Sequence, residues 1–460
     1  MGAPQFARAL MRALGEDVVR VDEPTLADHA KDRWFAARKP EVVVLARSRA
    51  DVEKTLKFSD RHGIPVTPRG AGVGYVGGCV PVEGGIALSV ARMNRIREIS
   101  TADGVAVVEP GVITGDLQDA VRKKGWFYPP DPASLRECSL GGNIATNAGG
   151  PRCLKYGVTR NYVLGLEVVL ADGRVLRCGG RTHKNKVGFD LIGSFVGSEG
   201  MLGIVTEATL RLLPHPPARG TLAASFRSFR AAARAVQEIF AAGFLPSALE
   251  IADPFTLKSA AVHLGREIAP GAKSLVLVEL DGHADSVRGE MRVLGALLAR
   301  LKAIAVLDAF GDEACEQLWG LRRAYSASLK ATGLTKLNED IVVPRGKLVE
   351  LAEFGEALAK KYGYPVACFG HAGDGNIHVN IMAAGYHDDA KVKRVVDRAL
   401  DDLFRWVVGV GGAITGEHGI GLAKKPWWPL AADRVNRDVH TALKRAFDPK
   451  GLLNPGKFVA

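Results

Sequence analysis

The chain has 460 residues, 47% of them hydrophobic and 24% charged, with a formal net charge of +11 at neutral pH. This composition excludes a disordered or fibrous chain, and at roughly 100–200 residues per domain it predicts two or three domains with cores large enough to need no disulfide staples. No run of about 18 apolar residues is present, so no membrane span is expected, and no dense Lys/Arg block or aromatic-interleaved basic stripe points to nucleic acid.

From the N-terminus, MGAPQFARALMRALGEDVV reads as an amphipathic opening helix, without the apolar core or cleavage site of a signal peptide. Residues 41–46 (EVVVLA) form a β-branched strand, and an amphipathic helix follows from Ala50 to about His62, stopped by Gly63. IPVTP is a short strand. The loop RGAGVGYVGG then leads to strands in GGIALSVARM and VAVVEPGV, and a helix is predicted over Thr114–Lys124. A second glycine-rich run, SLGGNIATNAGG (Ser139 to Gly150), precedes VLGLEVVLADGRVLRC, two strands joined by an Ala171-Asp172-Gly173 turn. GSEGMLGIVTEATLRLLP carries the next strand. At His215-Pro216-Pro217 the pattern breaks, which predicts a domain boundary. Beyond it, helices over Phe229–Ala242, Ser286–Leu301, Leu348–Lys361 and Ala390–Val407 alternate with strands such as SLVLVEL, DIVVP and VACFGHAG. A final helix, Asp433–Ala446, precedes FDPKGLLNPGK. Cys79, Cys138, Cys153, Cys178, Cys315 and Cys368 are scattered, which excludes a zinc ribbon or an iron–sulfur cluster held by this chain alone and fits a reducing compartment.

The first glycine loop is spaced G-x-G-x-G and feeds a strand, so it is not the nicotinamide fingerprint, which needs G-x-G-x-x-G between strand and helix. Its small residues nevertheless let backbone N–H groups converge on an anion. Two such loops in one domain, with SLGGNIATNAGG as the second, point to a long phosphorylated cofactor. In HAGDGNIHVN, a turn centred on Asp374-Gly375 would set His371 directly opposite His378, with Asn380 on the same face. Two imidazoles so placed can share a cation. Glu417, in GAITGEHGIG, would add a carboxylate, and such nitrogen and oxygen donors leave zinc and manganese both open. His418 is then turned to another side, and an imidazole suits proton removal at neutral pH. In LWGLRRAYSASLK, Arg322 lies one helical step from Trp319 and offers a fork for a carboxylate, with Arg323 as its competitor.

PRGAGVGYVGG, DPAS with SLGGNIATNAGG, and GSEGMLGIVTEATLRLLP resemble, in order and spacing, the FAD domain of the vanillyl-alcohol-oxidase flavoproteins. WGLR, KLNEDIVVP, HAGDGNIHVN, GEHGIG and FDPKGLLNPGK resemble its glycolate oxidase, D-lactate dehydrogenase and D-2-hydroxyglutarate dehydrogenase branch. The resemblance implies an α+β fold with a two-subdomain PCMH-type FAD-binding domain over 38–217, after an N-terminal helical segment over 1–37. An α+β substrate (cap) domain with an antiparallel sheet and the metal site would follow over 218–425, and a C-terminal segment over 426–460 would return to the flavin. It implies that the backbone of Arg69, Gly70, Ala71, Gly72, Val73 and Gly74, with Gly77 and Gly78, holds the FAD pyrophosphate. Pro132, Ser139, Gly141, Gly142, Asn143 and Thr146 would line the flavin and ribityl side, Gly203, Ile204 and Val205 the adenine or isoalloxazine, and Asn454 the flavin edge. No histidine in the first loop offers a covalent tether, so the FAD is expected to be non-covalent.

The resemblance further implies that His371, His378 and Glu417 bind a divalent metal and that His418 takes the hydroxyl proton while hydride leaves Cα for flavin N5. Arg322 would hold the substrate carboxylate, with Ser326, Lys336 (or Asn338 in its place) and Asn380 nearby. The expected activity is oxidation of a small anionic D-2-hydroxy acid, with electrons passed to a quinone, a cytochrome, an electron-transfer flavoprotein or a partner subunit. A homodimer and a cytoplasmic setting, free or peripheral at the inner membrane face, complete the expectation. The competing readings are a metal-dependent hydrolase or lyase and an FAD-binding subunit that only assembles an oxidase complex.

Overall fold

The structure, a computed structural model, describes residues 3–265 and 268–459. The chain forms two units, one of Met1–Gly149, Val158–His215 and Glu417–Ala460, the other of Gly150–Gly157 and Pro216–Gly416.

In the first unit, β1 (Val19–Arg20), β2 (Val42–Leu45), β3 (Val66–Arg69) and β4 (Ile86–Ser89) form a sheet in the order β1-β2-β4-β3, with β4 parallel to both β2 and β3. The unbroken apolar runs of β2 and β4 are buried almost throughout, as expected for strands covered on both faces. A second sheet, antiparallel, contains β5 (Ile96–Ser100), β6 (Val105–Val108), β8 (Val163–Val169), β9 (Val175–Gly179) and β10 (Ile204–Arg211) in the order β5-β6-β10-β8-β9. β7 (Trp126–Phe127) pairs with β11 (Leu213–Pro214). The turn between β8 and β9 has Gly173 at φ +82°, its N–H donating to Leu170 O at 2.8 Å.

The second unit is built on one antiparallel seven-stranded sheet. Its strands are β12 (Ala218–Phe226), β13 (Ala248–Ala252), β14 (Ser274–Gly282), β15 (Ala305–Phe310), β16 (Thr335–Val342), β17 (Val366–His371) and β18 (Asn376–Ala383), in the order β15-β12-β14-β13-β17-β18-β16. Helices Pro254–Leu264 and Asp312–Lys330 pack on one face, where Leu257, Trp319, Tyr325 and Leu329 meet Ala252, Leu277, Ala367, Phe369 and Met382. The α+β class is as expected from the sequence.

Four expectations need correction. The N-terminal segment 1–37 does not stand apart, because Phe6, Leu10 and Leu14 of helix Ala3–Leu14 bury its apolar stripe among Val42, Val44, Val52 and Leu56. Residues 150–157 belong to the second unit: Arg152 bonds Glu279 at 2.9 and 3.0 Å, and Tyr156 Oη donates to Asp281 at 2.6 Å. The C-terminal return starts at Glu417 and not at 426, because the N–H groups of Leu422 and Ala423 bond Val76 O at 2.7 and 3.1 Å. The run SLGGNIATNAGG is not all loop, since Ser139 caps a short helix, Leu140–Thr146, by accepting from Gly142 N.

Candidate functional site

Register decides which side chains of the second unit share a face. The histidine hairpin is not closed by a two-residue turn. Residues 372–375 all lie in the turn, Gly375 N–H bonds His371 O at 3.1 Å, and His371 pairs with Asn376 while Phe369 pairs with His378. The expected His371–His378 register is therefore displaced by two residues. A shift of two preserves side-chain parity, so both imidazoles keep one face, their centroids 5.8 Å apart. Glu250 opposes His371, Asp340 opposes His378, Asn338 opposes Asn380 and Lys336 opposes Met382. Glu250, His371, His378, Asn380, Asn338 and Lys336 thus project from the same face.

Helix Asp312–Lys330 lies on that face and supplies the cation. Trp319 donates its indole N–H to Glu279 at 2.8 Å, and one turn on, Arg322 Nε donates to Glu250 Oε2. Arg323 instead bonds Glu316 and is exposed, so Arg322 is the inward member of the pair. Ser326 Oγ accepts from Lys336 Nζ at 2.8 Å. Arg322 and Lys336 flank the Phe369 ring, 5.1 and 5.7 Å from its centroid. Burial, with repulsion from Lys330 and Arg322, brings the Lys336 ammonium down to about 7. Asn380 is fully buried and donates to Ala367 O and His378 O at 3.1 and 3.0 Å, while its Oδ1 has no hydrogen-bond partner among the described residues.

Ligand atoms of His371, His378 and Glu417 lie within 4.8 Å of one another. Glu417 follows Gly416, whose N–H donates to Asp340 Oδ2 at 2.8 Å, and Thr415 Oγ1 bonds the same carboxylate. Asp340, fully buried on the strand beside His378, thereby sets the segment that leads to Glu417. Two imidazole nitrogens and a carboxylate oxygen at this spacing suit zinc or manganese. Glu250 accepts from His371 Nδ1 at 2.5 Å, which leaves Nε2 as the nitrogen with a lone pair for an ion. Burial pushes the Glu250 carboxyl up, but Arg322 and His371 together bring it down to about 2.

In the first unit, the two glycine segments meet. A Cβ on Gly70 would lie 2.5 Å from Ser139 Oγ, and Gly72 takes φ +71°. Among the described residues, no N–H from Gly70 to Gly74 donates a hydrogen bond, so that backbone is left to converge on an anion such as a pyrophosphate. The Arg69 side chain turns inward to Lys31 O at 2.7 Å and closes the loop. Gly141 passes so close to Pro110 that a Cβ would sit 2.7 Å from it. Asn143 donates to Thr114 at 2.6 Å and Thr146 to Gly142 O at 3.1 Å, so these donors serve the fold. Pro132 accepts from Leu135 N, and Gly203 and Val205 lie at the start of β10, where Ile204 turns into the core beside Val169 and Leu453.

Asn454, at φ +45°, does not offer its amide outward: Nδ2 donates to Gly78 O at 2.9 Å and to Glu199 O at 2.7 Å, tying the first loop to the GSEG turn. Asn454→Ala leaves two carbonyls without that donor, at about 1–3 kcal/mol each. We expect the purified variant to retain less flavin per chain and to unfold at a lower temperature, read from absorbance and a thermal melt.

His418 stacks on Tyr75, centroids 5.3 Å apart at 30°, with Nε2 3.8 Å from Glu417 Oε1. The turn behind it is held by Glu199, buried at φ +49°, whose carboxylate accepts from Ile420 N at 2.7 Å and Gly421 N at 2.9 Å. Glu250, Asp340, Glu199 and Tyr75 were given no role in the sequence reading. The available signal was an acid inside an apolar strand, as in SALEIAD, where burial demands a partner.

Comparison with known proteins gives the family of the chain. Residues 215–458 match the family described as FAD linked oxidases, C-terminal domain, and residues 40–179 match the FAD binding domain family. The chain is 40% identical over 421 residues to glycolate oxidase subunit GlcD of Bacillus subtilis (strain 168), covering 92% of this chain and 89% of that protein. It is 36% identical over 452 residues to D-lactate dehydrogenase of Archaeoglobus fulgidus, covering 96% of each. Among solved structures, p-cresol methylhydroxylase with substrate bound superposes with a TM-score of 0.81 at 20% identity, over 99% of this chain and 96% of that one, a likeness of fold alone.

Proposed function

Because the chain belongs to the FAD-linked oxidase family and is an FAD-dependent oxidoreductase with a PCMH-type fold, we propose that it oxidises a small 2-hydroxy acid to the 2-oxo acid. The substrate is of the glycolate, D-lactate or D-2-hydroxyglutarate type. The observation that carries this reading is the convergence, on one sheet face, of two imidazoles with the half-buried guanidinium of Arg322 and ammonium of Lys336. That set suits a ligand bearing a carboxylate beside a metal-binding hydroxyl. The relatives' names, glycolate oxidase subunit and D-lactate dehydrogenase, belong to the same substrate class.

Arg322 grips the substrate carboxylate through its terminal nitrogens, with Lys336, Ser326 and Asn380 beside it. His418 takes the α-hydroxyl proton. His371, His378 and Glu417 hold a zinc or manganese ion, and the Arg69–Gly78 loop, the 139–146 segment and Gly203–Val205 hold non-covalent FAD. When bound, FAD supplies the acceptor for the Cα–H electron pair and the ion a Lewis acid for the hydroxyl oxygen. The electrons then pass to an external quinone, cytochrome, electron-transfer flavoprotein or partner subunit, in the cytoplasm or at the inner membrane face. Among the described residues no helix is long and apolar enough to cross a membrane.

The test is anaerobic: the flavin of the purified protein should bleach with glycolate, D-lactate or D-2-hydroxyglutarate and not with L-lactate. Chelation of the ion should slow bleaching and leave the flavin bound. A yellow protein that none of these acids bleaches would instead be a non-catalytic FAD-binding subunit. The matched FAD-binding domain weighs against a plain metal-dependent hydrolase or lyase.

Lys336 adds a pH signature. Its ammonium is lost as pH rises through about 7, against the usual 10.5. The KM for the hydroxy-acid anion should therefore rise above about pH 7, and Lys336→Met should abolish that rise. The effect on stability has the opposite sign. The unfolded chain keeps this proton up to the usual 10.5, so the folded state is penalised below about 7 and relieved as pH climbs towards 10.5. Initial rates across pH 6 to 9, roughly bracketing the shifted group, check the first part.

A further inference from the structure

Glu250 belongs to neither the metal donors nor the substrate grip, yet it touches one member of each. It is 1% exposed, on the central strand β13, directly opposite His371 in register. One carboxylate oxygen accepts from His371 Nδ1 at 2.5 Å, and the other accepts from Arg322 Nε. A buried carboxylate between an imidazole and a guanidinium is ionised and only accepts hydrogen bonds. Nδ1 of His371 must then carry the ring proton, and Nε2 is left as the metal-binding nitrogen. The same carboxylate holds Arg322 by its Nε edge, so the two terminal nitrogens are the ones aimed at a ligand. The guanidinium cannot swing away, since the Phe369 and Tyr325 rings lie 5.1 and 5.7 Å from its carbon.

We propose that Glu250 is a shared positioning residue, which sets the tautomer of the metal ligand His371 and the orientation of the anion-binding Arg322 through one carboxylate. This rests on the reading of His371 as a ligand and Arg322 as the carboxylate grip. Both subsites are thus anchored to one side chain on a rigid strand, and an ion and a carboxylate are presented to one ligand at a fixed separation. A substrate whose metal-binding hydroxyl is adjacent to its carboxylate, as in a 2-hydroxy acid, fits such a fixed pair.

Substitution separates this role from simple packing. In Glu250→Gln the side chain keeps its shape, but one end becomes an N–H donor. That end faces either Arg322 Nε–H, where the bond is lost, or His371 Nδ1, to which it can donate only when the ring proton sits on Nε2, the nitrogen meant for the ion. In Glu250→Asp the charge remains but the side chain is one methylene short, about 1.5 Å, and cannot span both partners.

The metal-free protein is titrated with Zn²⁺ and with Mn²⁺ by calorimetry, as the parent, E250Q and E250D. FAD content and the thermal midpoint are measured alongside. The expected result is an ion Kd raised about 10–100-fold in E250Q, a smaller rise in E250D, and unchanged FAD content. The KM for D-lactate or glycolate should rise in the same two variants. If E250Q does not fold, E250D carries the test. A parent that binds ion while both variants bind it within about twofold of the parent overturns the role of Glu250 and leaves the functional reading standing. A parent that binds neither ion at micromolar concentration overturns the metal reading and this proposal together.

Discussion

His418→Ala should lower the rate of anaerobic flavin reduction by about 10²–10⁴-fold, the usual contribution of a positioned general base, with FAD still bound. The turn that carries His418 is held by groups other than the imidazole. Glu199 holds the N–H groups of Ile420 and Gly421, and Asn454 in turn holds Glu199. Deleting the ring therefore removes the group stacked on Tyr75 while the surrounding backbone stays in place. Stopped-flow reduction by a bleaching hydroxy acid, with the FAD-to-protein ratio measured on the same sample, checks it. A variant that loses its flavin, or that reduces at the parent rate, would remove His418 from the chemistry.

Arg322→Met should weaken both the protein and its grip on substrate. Glu250 is 1% exposed and the Arg322 side chain 13%, so the substitution leaves a buried carboxylate with His371 as its remaining partner among these bonds. Breaking a buried pair from one side costs about 3–5 kcal/mol, read as a lower denaturation midpoint. Loss of the fork should also reduce kcat/KM by about 2–5 kcal/mol, mostly through KM. Arg322→Lys keeps a charge in place and should recover part of the stability, but little of the affinity, because an ammonium cannot make the bidentate contact. Unchanged KM in both variants would mean that another cation holds the carboxylate.

The elements carrying these residues could largely be read from local pattern. β2 announces itself as an apolar β-branched run, helix Arg49–His62 ends at Gly63 in the left-handed region, and the chain crosses between units at His215-Pro216. The histidine pair was legible because strand parity survives a wrong guess about the turn. The direct pairing was not, because Asp374-Gly375 can close a hairpin of either two or four residues and only the neighbouring strands choose between them. Arg322 could not be separated from Arg323 until helix Asp312–Lys330 was laid on its sheet, where one guanidinium meets Glu250 and the other meets Glu316.

By itself, then, the sequence determined the types of element, the position of the main boundary, the chemical kinds of the candidate ligands and the family. These depend on periodicities of a few residues and on motifs that are contiguous in the chain. Only the tertiary structure decided that Glu250 joins His371 to Arg322, that Asp340 sets the segment leading to Glu417, that Glu199 holds the turn behind His418, and that Asn454 grips two loops. Each of these contacts spans tens to hundreds of residues. A buried acid takes whichever donor the packing of strands and helices brings to it, and nothing near it in the chain specifies that donor.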